Sequence, residues 1–113
     1  MTRVTIEYDP HGNITAYSAR GHSGFAESGR DIVCAAASVL LQTAVYGLTE
    51  VAGTDPEVTV DERTAALAVV LEQGVTNEQE QKRQAILQSM RLGLLELQRQ
   101  FPKNISIAER RCN

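Results

Sequence analysis

Residues 32–52 have the sequence IVCAAASVLLQTAVYGLTEVA, which is apolar on almost every side of a helix. An apolar surface that wide is typical of a buried helix covered by other elements on more than one side. Gly53 follows the segment and is expected to end the helix, since glycine readily adopts the left-handed conformation found there. The sequence therefore predicts one central core helix, and the flanking segments must supply what covers it.

The segment before this helix predicts a β-hairpin. Val4, Ile6 and Tyr8 alternate with polar residues, and the turn-forming sequence DPHGN follows at residues 9–13. Alternation with a period of two indicates strands with one buried face, and the turn residues join two such strands. Residues 3–19 are therefore expected to form a hairpin that leads toward the core helix.

The segment after the helix repeats this arrangement in topology, without similarity in sequence. Residues 58–61 and 66–71 are rich in β-branched side chains and flank a charged turn, which predicts a second hairpin. Thr76 and Gln79 have the spacing of a capping box, so a second helix is expected to begin there and to end before Pro102.

A last short strand is expected at residues 105–108. The predicted order is then ββαββαβ, and no linker or change of composition divides the chain, so residues 1–113 are expected to form a single domain. This order predicts an α+β fold in which two helices cover a mostly antiparallel or mixed sheet.

Composition restricts the classes of partner and compartment. The net charge is −3, which argues against direct nucleic-acid binding because phosphate contacts need clustered Lys and Arg, and which suits a basic peptide. No apolar run is expected to approach the roughly 20 residues of a membrane span, and the first residues have no secretion signal. We therefore expect a cytoplasmic protein without membrane contact.

The most informative stretch for function is GHSGFAESGRDIVCAAAS, residues 21–38. If Asp31 caps the core helix, Cys34 lies at the third helical position, where main-chain amides and a nearby imidazolium favour a thiolate. Gly21 and Gly24 let the loop approach a peptide closely and bring His22 toward the thiol. The pattern is that of a cysteine nucleophile with a histidine base.

The two ends of this stretch, GHSG at residues 21–24 and GRDIVCAAAS at residues 29–38, resemble the two signature segments of the bacterial ribosomal-processing cysteine protease family, Prp. The resemblance extends over the whole chain. It implies a cytoplasmic, homodimeric cysteine endopeptidase without a cofactor, with His22 and Cys34 as its catalytic residues. The implied substrate is the precursor of bacterial large-subunit ribosomal protein twenty-seven, whose N-terminal extension is removed after an aromatic residue.

Each site residue also has a simpler structural interpretation. Cys34 followed by alanines is often a small core residue, and His22 is often a loop histidine that only forms hydrogen bonds. Asp31 either orients His22 or only caps the helix, where its charge would oppose ionisation of the thiol. Ser38, one turn beyond Cys34, either binds the substrate main chain or bonds back to its own helix.

Two other classes of function remain open at this stage. One is a non-catalytic, ribosome-associated interaction module in which Cys34 only packs in the core. The other is a redox sensor, which requires a second thiol near Cys34, and Cys112 is the one available. A metal site is not expected, because the two histidines and the cysteines lack metal-ligand spacing.

Overall fold

A computed structural model of the chain describes residues 1–21 and 31–112. Its strands are β1 (Thr2–Tyr8), β2 (Ile14–Arg20), β3 (Glu57–Asp61), β4 (Ala66–Val70) and β5 (Ile105–Arg111), and its helices are α1 (Ile32–Tyr46) and α2 (Asn77–Gln100). The strands form one sheet in the order β3-β4-β2-β1-β5. The predicted α+β fold with the order ββαββαβ is confirmed.

The sheet is mixed, because β5 runs parallel to β1 and every other neighbouring pair is antiparallel. The last strand is longer than predicted, since it continues to Arg111 instead of ending at Ala108. The sequence of its charged end does not predict a strand. This end is a strand because β1 pairs with β5 along its whole length, from Ile105 opposite Thr2 to Arg111 opposite Tyr8.

The core helix has the extent that its sequence predicts, with a different final turn. The helix α1 continues directly into a π-helical turn, Gly47–Val51. A side chain at position 47 would place its Cβ 3.0 Å from the side chain of Ile86 on α2, so Gly47 permits the two helices to approach closely. The Tyr17 hydroxyl on β2 donates a hydrogen bond to the Leu41 carbonyl oxygen at 2.9 Å, which links α1 to the sheet.

One side of α1 is buried and the other is exposed. Val33 and Ala37 pack in the core, whereas Ile32, Val39 and Tyr46 on the other side are 58, 64 and 65% exposed. The exposed three follow each other at intervals of seven residues, so they form a single stripe along the helix. We call these three residues the α1 stripe.

The expectation that no apolar run approaches the length of a membrane span is wrong for this helix. Within the described ranges, residues Ile32–Val51 form a helix of 20 residues with a mean hydropathy of 1.7, which meets the requirement by length and composition. The core helix of a globular domain meets the same requirement. Here Val33 and Leu48 are completely buried in the domain core, so the helix contributes one face to that core.

The second helix begins as predicted. The Thr76 hydroxyl accepts a hydrogen bond from the Gln79 amide, and the Gln79 side chain accepts one from the Thr76 amide. This reciprocal capping box satisfies two amides that have no partner inside the helix. The helix ends at Gln100, just before Pro102, and packs on α1 and β5.

Candidate active site

The first turn of α1 has the cap that the sequence predicts. Asp31 has extended backbone angles, and its carboxylate Oδ1 accepts a hydrogen bond from the Cys34 amide at 3.0 Å. The Ala35 amide donates to the Asp31 carbonyl oxygen, which closes the first helical turn. Asp31 is therefore the N-cap, Cys34 lies at the third helical position, and the capping role of the carboxylate is confirmed.

The same carboxylate acts on the thiol. Cys34 is partly buried, and this burial and the negative charge of Asp31 raise the pKa of the Cys34 thiol above its ordinary value. The helix start was expected to favour the thiolate, but here a carboxylate occupies the nearest amide and opposes ionisation. Chemistry at Cys34 near neutral pH therefore needs a base that removes the proton.

Cys34 opens onto a groove of about 530 Å³ between α1 and the β3–β4 hairpin. Seven residues of α1 line one wall at the spacing of a single helix face: Cys34, Ala37, Ser38, Leu41, Gln42, Val45 and Tyr46. Twelve residues separate the first from the last, so the wall is about 18 Å long. Val58, Val60 and Leu67 face it from the hairpin, which gives the groove a largely apolar character.

The Cys34 end of the groove lies at the end of β2, where Gly21 has a φ of +85°. A Cβ at this position would lie 2.7 Å from the Met1 carbonyl oxygen. Both the positive φ and the close approach require glycine, so the fold alone explains Gly21. His22 and Gly24 lie outside the described residues.

Ser38 lines the groove one helical turn from Cys34. Its hydroxyl oxygen accepts a hydrogen bond from Gln42 Nε2 at 3.0 Å. The partner is thus a side chain of the same helix, and it is one that the sequence analysis did not single out. The spacing of four residues from Ser38 and eight from Cys34 was the available signal, because it places all three on one helix face.

The two cysteines lie at opposite ends of the sheet. The Cys112 amide donates to the Tyr8 carbonyl oxygen at the end of β1, whereas Cys34 shares its groove with Thr2 at the beginning of that strand. A strand of this length spans about 20 Å, far beyond disulfide reach. Cys112 is exposed, and within one chain it cannot act as the second thiol of a redox pair with Cys34.

Metal ligation has no support in the described part of the chain. Residues 1–21 and 31–112 contain no group of three or more His, Cys, Asp or Glu side chains arranged to hold an ion. The described site thus consists of a capped thiol, a hydrogen-bonded serine–glutamine pair and an apolar groove. Such a site suits nucleophilic attack on an extended peptide.

Comparison with known proteins identifies the family. The family model described as cysteine protease Prp matches residues 1–106. The chain belongs to the cysteine protease Prp family. Like other Prp proteins it is a cysteine protease, and the ribosomal-processing resemblance of its sequence is confirmed at the level of the family.

Individual Prp proteins align with this chain over nearly their whole length. The ribosomal processing cysteine protease Prp of Bacillus subtilis (strain 168) is 26% identical over 95% of this chain and 96% of its own. The ribosomal processing cysteine protease Prp of Staphylococcus aureus (strain Mu50) is 29% identical over 95% of this chain and 97% of its own. The crystal structure of S. aureus Prp with a covalently linked product peptide has a TM-score of 0.86, with 26% identity over 96% of this chain and 99% of that one.

A second S. aureus Prp structure contains a substrate peptide. It has a TM-score of 0.82 and 25% identity, and covers 96% of this chain and 99% of its own. Prp membership argues against a non-catalytic interaction module, since the family is one of proteases.

Proposed function

We propose that this protein removes the N-terminal extension of bacterial large-subunit ribosomal protein twenty-seven, with Cys34 as nucleophile and His22 as base. The observation that carries the proposal is the position of Cys34, in the first turn of α1 and at one end of a groove of about 530 Å³. A cysteine that only packed in the core would be fully buried, whereas Cys34 is partly exposed where it lines this groove.

In the proposed reaction, His22 takes the proton from Cys34 Sγ while the sulfur attacks the carbonyl carbon of the scissile peptide bond. The tetrahedral intermediate then collapses, the C–N bond breaks, and His22 returns the proton to the leaving amine. Water hydrolyses the remaining thioester and regenerates the thiol. No cofactor takes part in these steps.

The oxyanion of the intermediate needs donors near Cys34 Sγ. The Cys34 amide already donates to Asp31, so we assign this function to the amides of Ile32 and Val33. No carbonyl within α1 can accept from either of these two, because both belong to the first helical turn. Their partial positive charge stabilises a developing oxyanion.

The environment of the thiol supports a separate base. Burial and Asp31 raise the pKa of Cys34, so a preformed thiolate is a minor species near neutral pH. A histidine titrates in this range and accepts a proton at the pH of the cytoplasm, where we place the protein. The sequence places His22 in the segment that joins β2 to α1, between Gly21 and Asp31, both of which lie at this site. Asp31 would orient it in addition to capping the helix.

The substrate assignment has two supports. S. aureus Prp has been seen with a substrate peptide and with a covalently linked product peptide, which fits a covalent mechanism at the equivalent site here. The negative charge of this chain favours encounter with a basic ribosomal precursor. Of the loop glycines, Gly24 is proposed to let the loop approach the peptide, together with Gly21.

We also propose that the protein is a homodimer that binds neither nucleic acid nor membranes directly. The α1 stripe is an exposed apolar surface on a helix whose other side is in the core, and its last residue, Tyr46, also lines the groove. Apolar residues at intervals of seven are typical of helices that pack against a partner helix. A second copy of the chain would cover this stripe through the same surface of its own α1.

The experiment for the proposed function is incubation of the purified precursor with the protein, followed by mass spectrometry. We expect a single cut that releases the N-terminal extension, no cut with Cys34→Ala, and an unchanged cut with a chelator present. An intact precursor after prolonged incubation, with a folded enzyme, would refute the substrate assignment.

A further inference from the structure

Gln42 is a polar residue on the α1 wall of the groove that neither the reaction nor the capped thiol uses. It lies two helical turns after Cys34, on the same helix face, and its side chain contributes to the groove wall. Eight residues of helix correspond to about 12 Å along the axis. An extended peptide advances about 3.3 Å per residue, so Gln42 lies beside the third or fourth substrate residue from the scissile bond.

The Gln42 side chain has a defined position. Its Nε2 donates to Ser38 Oγ at 3.0 Å, which fixes the amide plane against the wall of α1. A carboxamide has one acceptor oxygen and two amide hydrogens, and this bond uses one hydrogen. The oxygen and the other hydrogen then form the donor–acceptor pair that matches the N–H and C=O of an extended main chain.

The surroundings of Gln42 make this pair distinctive. Leu41 and Val45 lie near it on α1, and Val58 and Val60 of β3 line the same groove. Apolar walls accept substrate side chains but cannot satisfy a peptide main chain, whose polar groups lose water when the peptide enters the groove. A polar pair in such a wall therefore compensates the main chain and fixes its register.

We propose that Gln42 is a substrate-binding residue, held by Ser38, that bonds the main chain of the peptide three to four residues from the scissile bond. This inference rests on the proposed function, since it takes Cys34 as the point of cleavage. Ser38 is the positioning residue in the pair, because its hydroxyl oxygen accepts the hydrogen bond from Gln42 Nε2.

The test compares Gln42→Leu with wild type on one long peptide that spans the cleavage site. Loss of one hydrogen-bonded contact should raise KM about three- to tenfold, with kcat unchanged, because the contact is equal in the ground and transition states. Gln42→Glu keeps the acceptor oxygen but loses the amide donor to Ser38. Its KM should lie between those of wild type and Gln42→Leu. Gln81→Leu, an exposed glutamine on α2 away from the groove, is the matched control and should behave as wild type.

Two shortened peptides locate the contact. Each retains only two residues on one side of the scissile bond. The Gln42→Leu effect should disappear with the peptide shortened on the side that reaches Gln42, and persist with the other. In a double-mutant cycle, the increase in KM for Ser38→Ala combined with Gln42→Leu should be smaller than the product of the two single increases. Both changes remove the same contact.

Failure of this inference is distinguishable from failure of the proposed function. Wild-type cleavage with the same KM in Gln42→Leu, at equal melting temperature, would overturn the role of Gln42 and leave the protease assignment intact. If no peptide is cleaved, binding of a fluorescent long peptide to Cys34→Ala decides. Weaker binding when Gln42→Leu is added supports the contact, and equal binding overturns it.

Discussion

The Asp31 carboxylate accepts a hydrogen bond from the Cys34 amide at 3.0 Å, and its charge raises the pKa of the Cys34 thiol. One side chain thus caps the start of the helix and makes the Cys34 thiol harder to ionise. The functional gain that offsets this effect would be orientation of His22. The two roles can be separated by a substitution that keeps the cap and removes the charge.

Asp31→Asn is that substitution, because asparagine is as good an N-cap as aspartate. Without the negative charge the pKa of Cys34 falls, so the pH midpoint of thiol alkylation should move to lower pH. If Asp31 also orients His22, kcat should fall strongly at an unchanged melting temperature. An alkylation midpoint that stays in place or moves upward would contradict the charge effect.

The two cysteines should differ completely in function. Cys34→Ala and Cys34→Ser should abolish cleavage and leave the circular dichroism spectrum unchanged, since neither removes a large core side chain. Cys112→Ala should be nearly neutral, because Cys112 is exposed at the other end of the sheet. Peptide cleavage measured by chromatography checks both, and full activity in Cys34→Ala would end the assignment of the nucleophile.

Substitution by alanine should destabilise the protein more at Gly21 than at Gly74, although the two glycines have similar backbone angles. Gly21 and Gly74 have φ of +85° and +81°, but a Cβ at Gly21 meets the Met1 carbonyl and one at Gly74 meets nothing within 4 Å. Alanine at either position costs about 1–2 kcal/mol for the left-handed conformation. Gly21→Ala should cost more in urea unfolding, and equal losses would show that the close contact has no energetic effect.

The α1 stripe should hold the dimer together. Val39 is 64% exposed and does not line the groove, so Val39→Lys should leave the fold intact and convert the dimer to a monomer. Multi-angle light scattering at micromolar concentration measures this directly. Leu92→Lys, an equally exposed apolar residue on α2 outside the stripe, is the control and should remain dimeric. A monomeric wild type would refute the proposal.

The features that sequence predicts well here are local ones. The Asp31 cap and the Thr76 capping box depend on residues three apart, and both are present. The length of β5 depends on its pairing with β1, about a hundred residues earlier, and its charged end carries no local signal. For the same reason the strand order and the parallel pair could not be predicted.

The site divides in the same way. Cys34 and Asp31 are recognisable because their chemistry depends on one helical turn. Gln42 has only the weak signal of its helical spacing from Ser38 and Cys34, since its position matters only when the β3–β4 hairpin forms the opposite wall of the groove. The apolar character of α1 is evident in the sequence of residues 32–52, and with the π-helical turn that ends at Val51 the helix meets the membrane requirement that the prediction denied.

The parallel pairing of β1 and β5 also constrains when the protein becomes complete. β1 is a central strand whose second neighbour is the last element of the chain, and Ile105 at the start of β5 is completely buried. During translation β5 is made about a hundred residues after β1, so this contact of high sequence separation forms late. Until β5 has been made one edge of β1 is open, and the segment Ile105–Arg111 decides whether the sheet is completed.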